Sequence, residues 1–155
     1  MNTPGKKSLP VIPCGVAIIR QERSFLIAQR NPEDTLGSYW EFPGGKKERR
    51  ESFEDCVVRE VEEEIGIRIR VERPFMVIRK KFNEKIIWLN YYLCAYLSGE
   101  PRPIDCQNVL WTDVMELGRY KFPPANRRVI DQLVREFASS DAVRRGGIRH
   151  GNPSL

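Results

Sequence analysis

The sequence has little of the chemistry that holds small secreted domains or zinc sites together. Its four cysteines, Cys14, Cys56, Cys94 and Cys106, are far apart, and its single histidine is His150. No two of these residues have the short spacing of a zinc motif, and scattered cysteines are not typical of a secreted disulfide framework. The pattern predicts reduced thiols in a cytoplasmic protein.

Long hydrophobic runs are also absent. A membrane-spanning helix needs roughly 20 consecutive apolar residues, and no segment approaches that length. Near the start, two lysines precede an apolar stretch, but Pro10 and Pro13 interrupt it. We therefore expect neither a signal peptide nor association with a membrane.

The positive charge is concentrated at the two ends. The 155 residues carry a net charge of +5, of which residues 1–10 contribute +2 and residues 138–155 another +2. A charge excess in terminal segments does not indicate stable binding to a nucleic-acid polymer. We predict a flexible segment over 1–10, one domain over 11–137 and a flexible basic tail over 138–155, in a monomer or weak dimer.

Hydrophobic patterns and turn residues predict an α/β domain. The predicted strands cover 11–20, 24–30, 40–42, 67–82, 86–97 and 109–112, and the predicted helices cover 52–65 and 124–137. Several strands and two helices are typical of a mixed sheet between helical layers.

The most informative segment is acidic. Glu60, Glu62, Glu63 and Glu64 lie within five positions of the predicted helix that Ser52 caps. At about 100° per residue, Glu60, Glu63 and Glu64 share a face beside the apolar stripe, whereas Glu62 faces water. The predicted stripe comprises Val58, Val61 and Ile65, extended by Phe53, Cys56 and Val57.

Two interpretations of this acidic face are open. Like-charge pairs at this spacing cost only roughly 0.2–0.5 kcal/mol each, so a solvated acidic surface is one of them. Carboxylates beside an apolar stripe, however, are partly desolvated and must find cations or protons. Arg59 alone cannot neutralise three carboxylates. We favour a hard divalent cation, Mg²⁺ or Mn²⁺, which takes about six oxygen ligands.

The residues before the helix support a phosphate-handling site. Gly44 and Gly45 allow close backbone approach to a ligand and expose carbonyl oxygens. Lys46 and Lys47 follow and suit phosphate oxygens. Carboxylate-bound Mg²⁺ beside lysine is typical of phosphoryl chemistry.

The spacing of these residues resembles that of a known family. In order, it is Gly45, five residues, Glu51, seven residues, Arg59-Glu60-Val61, one residue, Glu63-Glu64, one residue, and Gly66-Ile67. This is similar to the Nudix box at every defined position. The chain is thereby identified as a member of the Nudix hydrolases, which cleave nucleoside diphosphates linked to another group and have an α/β/α sandwich with a mixed sheet.

The resemblance extends beyond the box. The segments 40–46 (WEFPGGK), 99–101 (GEP) and 122–126 (FPPAN) are similar to the MutT type of the family, which acts on 8-oxo-dGTP. The similarity covers about residues 11–137. The chain departs from the pattern at Asp105, where glutamate is found, and at Arg50, where glycine is common and which a positive φ would strain.

The resemblance implies roles for individual residues. The implied metal ligands are the Gly44 carbonyl, Glu60, Glu63 and Glu64. Asp105 is implied as a further ligand or as a group that orients water. Arg59 and Glu51 hold the loop and helix together, and Lys46 and Arg30 meet the substrate's phosphates or adjacent groups. Asn126 reads the base, with Phe42 lining the pocket. A second interpretation of Asn126 is a polar residue at a helix N-terminus.

The implied activity is Mg²⁺-dependent hydrolysis of a nucleoside triphosphate to the monophosphate and pyrophosphate, with an oxidised guanine nucleotide such as 8-oxo-dGTP as substrate. Glu60, or else Asp105, would be the general base. Two alternatives remain. One is a Nudix enzyme acting on RNA 5′ ends, CTP or another nucleoside-diphosphate derivative. The other is a module that binds nucleotides without catalysis.

Overall fold

Residues 8–138 of the chain are described by a computed structural model, in which seven strands and two α-helices are found. The strands are β1 (Val11–Gln21), β2 (Ser24–Gln29), β3 (Trp40–Glu41), β4 (Gly44–Lys46), β5 (Arg68–Lys81), β6 (Ile86–Ser98) and β7 (Asn108–Asp113). The α-helices are α1 (Phe53–Ile65) and α2 (Arg127–Leu133). Short 3₁₀ helices cover Val114–Arg119 and Pro124–Asn126, and a π-helical turn covers Val134–Ala138.

The strands form one mixed sheet in the order β3-β2-β1-β6-β5. β1 pairs in parallel with β6 over Val11–Arg20, and β5 pairs with β6 in antiparallel orientation. β4 pairs with β1, and β7 with β2. The predicted mixed α/β sheet is confirmed.

Alternate residues of the central strands point to opposite faces of the sheet. Each face carries a buried hydrophobic cluster. On β1, Val16 and Ile18 belong to one buried cluster, which Val129 and Leu133 of α2 complete. Ala17 and Ile19 belong to the other cluster, which receives these residues of α1: Val57, Val61 and Ile65. α1 therefore packs on one face and α2 on the other.

Local signals fix both ends of α1. The Ser52 side chain accepts a hydrogen bond from the Asp55 N–H at 3.0 Å, so one otherwise unpaired amide is satisfied. At the other end, Gly66 has φ of 78° and its N–H bonds to Glu62 and Val61 carbonyls. A left-handed C-terminal residue of this kind favours glycine.

Several predicted elements need correction. The chain forms β4 directly after Pro43, where the sequence suggested that extended structure ends, because Gly44 pairs with Val16 of β1. The strand predicted over 86–97 is present as β6, and only its residues 90–94 are buried. The predicted helix over 124–137 is divided into 3₁₀, α and π segments, and a 3₁₀ helix at Val114–Arg119 was not expected.

Two further expectations concern loops and termini. Arg50 is not among the described non-glycine residues with positive φ, which are Glu22, Leu36 and Ser38. The turn before Glu51 therefore imposes no such strain on Arg50. The predicted flexible tails fall largely on residues 1–7 and 139–155, outside the described residues. Over 8–138, no helix combines the length and apolar character needed to cross a bilayer.

Candidate active site

β4 and α1 bring the Nudix-like segment together beside the middle of the sheet. Gly44 and Gly45 of β4 pair with Val16 and Gly15 of β1. A Cβ atom built on Gly45 would lie 2.5 Å from the carboxylate carbon of Glu60 on α1. Glycine at this position therefore allows the glutamate to lie directly against the backbone of β4.

Arg59 is the centre of an ion-pair network. Its Nε and Nη2 donate to the two carboxylate oxygens of Glu51 at 3.0 and 2.7 Å. Its Nη1 donates to Glu60 at 2.9 Å and to Glu63 at 3.1 Å. Its Nη2 also donates to the Lys46 carbonyl at 3.1 Å. One guanidinium thus connects the loop, β4 and α1, and these contacts raise its pKa.

Glu51 is the most strongly held carboxylate in the network. Its carboxylate accepts two hydrogen bonds from Arg59 and a third from the Glu48 N–H at 2.7 Å. The hydrogen bonds from Arg59 lower the pKa of Glu51 to about 2. Its side chain is only 14% exposed, so water screens this interaction weakly.

We expect Glu51→Gln to reduce the free energy of unfolding by about 2 kcal/mol at neutral pH. A lowered folded-state pKa contributes stability above the unfolded value of about 4.5, and that stability is lost as the pH falls towards 2. The difference between wild type and variant should therefore shrink below pH 4.5. Urea unfolding at pH 7 and at pH 3–4 measures this.

Glu48→Gln is the matched control, because its carboxylate is 70% exposed and lies 3.9 Å from Arg59. We expect that variant to lose under about 0.5 kcal/mol at either pH. Equal losses for the two variants would contradict the assignment of the stability to Glu51.

The carboxylates of Glu60, Glu64 and Glu41 form a partly buried acidic group. The Glu60 side chain is 14% exposed. Burial raises the pKa of Glu64, and the charges of Glu41 and Glu60 raise it further, against one hydrogen bond from the Gly44 backbone. Burial likewise raises the pKa of Glu41, although Arg30 donates to it at 2.9 Å and opposes the shift.

Glu41 was not among the residues assigned a role from sequence. The two-residue strand β3 pairs Glu41 with Ala28 and directs it toward the acids of α1. A charged residue between Trp40 and Phe42, in an otherwise apolar extended segment, was the available signal.

The expectation that Glu63 is partly desolvated beside the apolar stripe is wrong. Its side chain is 59% exposed, and Arg59 is its partner. At about 100° per residue, Glu63 lies roughly 160° around α1 from the buried Val61, whereas Glu64 lies about 60° from it. The same geometry makes Val57 a fully buried member of the stripe, whereas Val58 is only half-buried.

The acidic group fits a hard divalent cation by its chemistry. It offers only oxygen donors, and the raised pKa of Glu64 reflects burial first and then the negative charges of Glu41 and Glu60, which a cation would neutralise. Within residues 8–138, no three His, Cys, Asp or Glu side chains are already grouped around one metal position. Arg59 bonds one carboxylate oxygen of Glu60 and one of Glu63, and the second oxygen of each could bind a cation.

The other predicted site residues lie around this group. Arg30 is committed to Glu41 and to the Thr35 carbonyl, which accepts from its Nε at 2.7 Å. The Lys46 side chain is exposed. Asp105 is also exposed, and its N–H donates to the Glu64 carbonyl at 3.2 Å. The structure brings their backbones to the site but gives no contact between these side chains and the α1 glutamates.

A cavity of about 140 Å³ adjoins the acidic group. Glu41 lines it, and the charge of Glu41 raises the pKa of Glu64, so Glu41 lies near both the cavity and the acidic group. Phe42 and Asn126 line it as well, and the Tyr91 hydroxyl donates to the Asn126 Oδ1 at 2.7 Å. Asn126 does lie at the N-terminus of α2, as the second interpretation expected, but its side chain makes no capping hydrogen bond there.

The chain is similar in sequence and in fold to known proteins. Residues 15–132 match the family described as NUDIX domain. The 8-oxo-dGTP diphosphatase of Escherichia coli K12 is 36% identical over 121 residues, which cover 77% of this chain and 94% of that protein. The CTP pyrophosphohydrolase of the same strain is 30% identical over 118 residues, covering 76% and 87%. The crystal structure of the MutT protein from Methanosarcina mazei Go1 has a TM-score of 0.75 at 26% identity, covering 84% and 98%.

Proposed function

The chain belongs to the NUDIX domain family, and from this premise we propose that it hydrolyses an oxidised guanine nucleotide, 8-oxo-dGTP or a close relative, to the monophosphate and pyrophosphate. Like its MutT-type relatives, it is a Nudix hydrolase. The proposed biological result is removal of damaged precursors before they enter DNA. Mg²⁺ is the proposed cofactor, with Mn²⁺ as a substitute.

One observation carries the proposal. The partly buried carboxylates of Glu60 and Glu64 lie against Gly44 and Gly45 of β4, and Glu41 lies between them and a cavity that Asn126 lines. A polyphosphate could thus meet the acids through a cation while its base entered the cavity. The cavity volume of about 140 Å³ is below the roughly 300–1,000 Å³ of a pocket that encloses a drug-sized ligand, so it would enclose only part of a nucleotide.

In the proposed site, the Gly44 carbonyl, Glu60 and Glu64 would hold the cation, and Glu63 and Asp105 could join them from the exposed side. A divalent cation there would neutralise the polyphosphate and acidify a water molecule. Lys46 would meet phosphate oxygens, and Arg59 would keep the loop and α1 in register. Arg30 would keep Glu41 oriented at the junction with the cavity.

The proposed reaction is attack of water on the β-phosphorus. A bond forms between the water oxygen and that phosphorus, and the bond from phosphorus to the α–β bridging oxygen breaks. The products are nucleoside monophosphate and pyrophosphate. Glu60 would accept the proton from water, with Asp105 as the other candidate.

A second candidate substrate is CTP, since one relative at 30% identity is a CTP pyrophosphohydrolase. The same acids would serve both reactions, so the base pocket must decide between them.

Pyrophosphate release tests the proposed activity. Purified protein with Mg²⁺ is given 8-oxo-dGTP, dGTP, CTP and triphosphorylated RNA, each at several concentrations. We expect the highest kcat/KM for 8-oxo-dGTP. A higher value for CTP or RNA would replace the proposed substrate, and no release from any of them would contradict the proposed activity.

A further inference from the structure

We propose that Tyr91 is a positioning residue for base specificity: it holds the Asn126 amide so that the amide nitrogen faces the cavity and selects a base edge that carries a carbonyl. The inference rests on the proposed function, because it concerns the base of the same nucleotide.

Tyr91 is well placed to fix this amide. It lies in the buried middle of β6, 3% exposed, and Asn126 is 7% exposed. The phenol donates to the amide oxygen at 2.7 Å. The tyrosine ring packs edge-on against Phe42, with ring centres 6.4 Å apart, so the hydroxyl has little freedom to move away.

The backbone of Asn126 is fixed as well. Its N–H donates to the Pro123 carbonyl at 3.0 Å, within the 3₁₀ turn that precedes α2. Because the side chain makes no capping bond to the helix, its amide is available for the cavity. Tyr91 is therefore the side chain that sets which end of this amide faces a ligand.

The chemical consequence is selectivity for the functional group on the base. An asparagine amide has an oxygen that accepts hydrogen bonds and a nitrogen that donates two. With the oxygen held by a phenol donor, the nitrogen is directed to the ligand. Guanine offers a carbonyl oxygen at position 6, whereas adenine offers an amino group there and cytosine an amino group at position 4. If the amide nitrogen of Asn126 faces such an amino group, both carry only donors and neither has a partner. Leaving buried donors without a partner is costly.

Tyr91→Phe keeps the ring and removes the hydroxyl. The Asn126 amide could then rotate by 180°, so that its oxygen accepts a hydrogen bond from an amino group of the base. The matched ligand pair is dIMP and dAMP, which differ in the carbonyl or amino group at position 6 and in the proton on N1 that accompanies the carbonyl. Binding of each, with Mg²⁺, is measured by calorimetry. We expect wild type to prefer dIMP by about 10–100-fold, and Tyr91→Phe to reduce that ratio about 10-fold by gaining affinity for dAMP as well as losing it for dIMP.

Two controls separate positioning from packing. Tyr92→Phe removes a neighbouring hydroxyl that interacts with Glu54 on the other side of the sheet, and it should leave the ratio unchanged. In an Asn126→Ala background, Tyr91→Phe should no longer change the ratio, since the residue through which it acts is gone. Thermal unfolding of each variant checks that the fold is retained.

The outcomes separate this inference from the proposed function. The role of Tyr91 would be overturned by equal dIMP-to-dAMP affinity ratios in wild type and Tyr91→Phe, or by no measurable binding of either ligand. It would also be overturned if Tyr91→Phe changed the ratio equally in the Asn126→Ala background. Because the assay measures binding, it stands apart from pyrophosphate release. Selective binding without hydrolysis of any nucleotide would contradict only the proposed activity.

Discussion

Glu64→Gln is expected to lower kcat for nucleotide hydrolysis roughly 1,000-fold while the fold is retained. If the Glu64 carboxylate binds the cation, it lowers the activation free energy by several kcal/mol. About 4 kcal/mol corresponds to a factor of 1,000 in rate. Glutamine has nearly the same shape but offers no negative charge to a metal. Because burial and neighbouring acids already disfavour ionised Glu64, the neutral variant should unfold at the same temperature or higher.

Glu62→Gln is the matched control, since Glu62 lies on the same helix and is exposed. It should keep kcat within about 2-fold of wild type. Steady-state kinetics at saturating Mg²⁺, together with thermal unfolding, measure both effects. Wild-type turnover in Glu64→Gln would contradict the metal assignment, and a loss of turnover shared by Glu62→Gln would indicate a general effect of charge.

Arg59→Lys is expected to reduce the free energy of unfolding by about 2–3 kcal/mol and to lower kcat/KM as well. Lysine keeps the positive charge, but it cannot form the two parallel hydrogen bonds that Arg59 makes with Glu51. It also cannot reach Glu60, Glu63 and the Lys46 carbonyl at the same time. β4, which presents the Gly44 carbonyl, and the loop that follows it would then be held less firmly.

Arg50→Lys is the corresponding control on the same loop, where the arginine is exposed. We expect its unfolding free energy to change by less than about 0.5 kcal/mol. Urea unfolding at pH 7 compares the two variants. If Arg59→Lys were as stable as Arg50→Lys, the network around Arg59 would not be what connects the loop to α1.

Sequence reasoning succeeded where a local pattern determines the structure. The ends of α1 follow from Ser52 and Gly66, whose roles depend on neighbouring backbone atoms. The parallel pairing of the long apolar strand β6 with β1 agrees with a strand inside a mixed sheet. The family followed from the spacing of charged residues over one short segment, and the match over residues 15–132 confirms it.

Other features depend on contacts between distant parts of the chain. β4 exists because three residues after Pro43 find β1, which no periodicity over so short a segment indicates. Glu41 joins the acidic group because β3 pairs with β2, and the link between Tyr91 and Asn126 spans 35 positions. The exposure of Glu63 could have been deduced from helix geometry by taking the direction of Val61 as the centre of the buried stripe.

Binding of Mn²⁺ measured by electron paramagnetic resonance tests the central claim most directly, namely that Glu60 and Glu64 bind a divalent cation beside β4. Wild type, Glu60→Gln, Glu64→Gln and the control Glu62→Gln are titrated with Mn²⁺ and then with Mg²⁺ as competitor. We predict that Mn²⁺ binds wild type and Glu62→Gln equally, that Mg²⁺ displaces it, and that affinity falls at least about 10-fold in each of the other two variants. Equal Mn²⁺ affinity in all four proteins would contradict the claim.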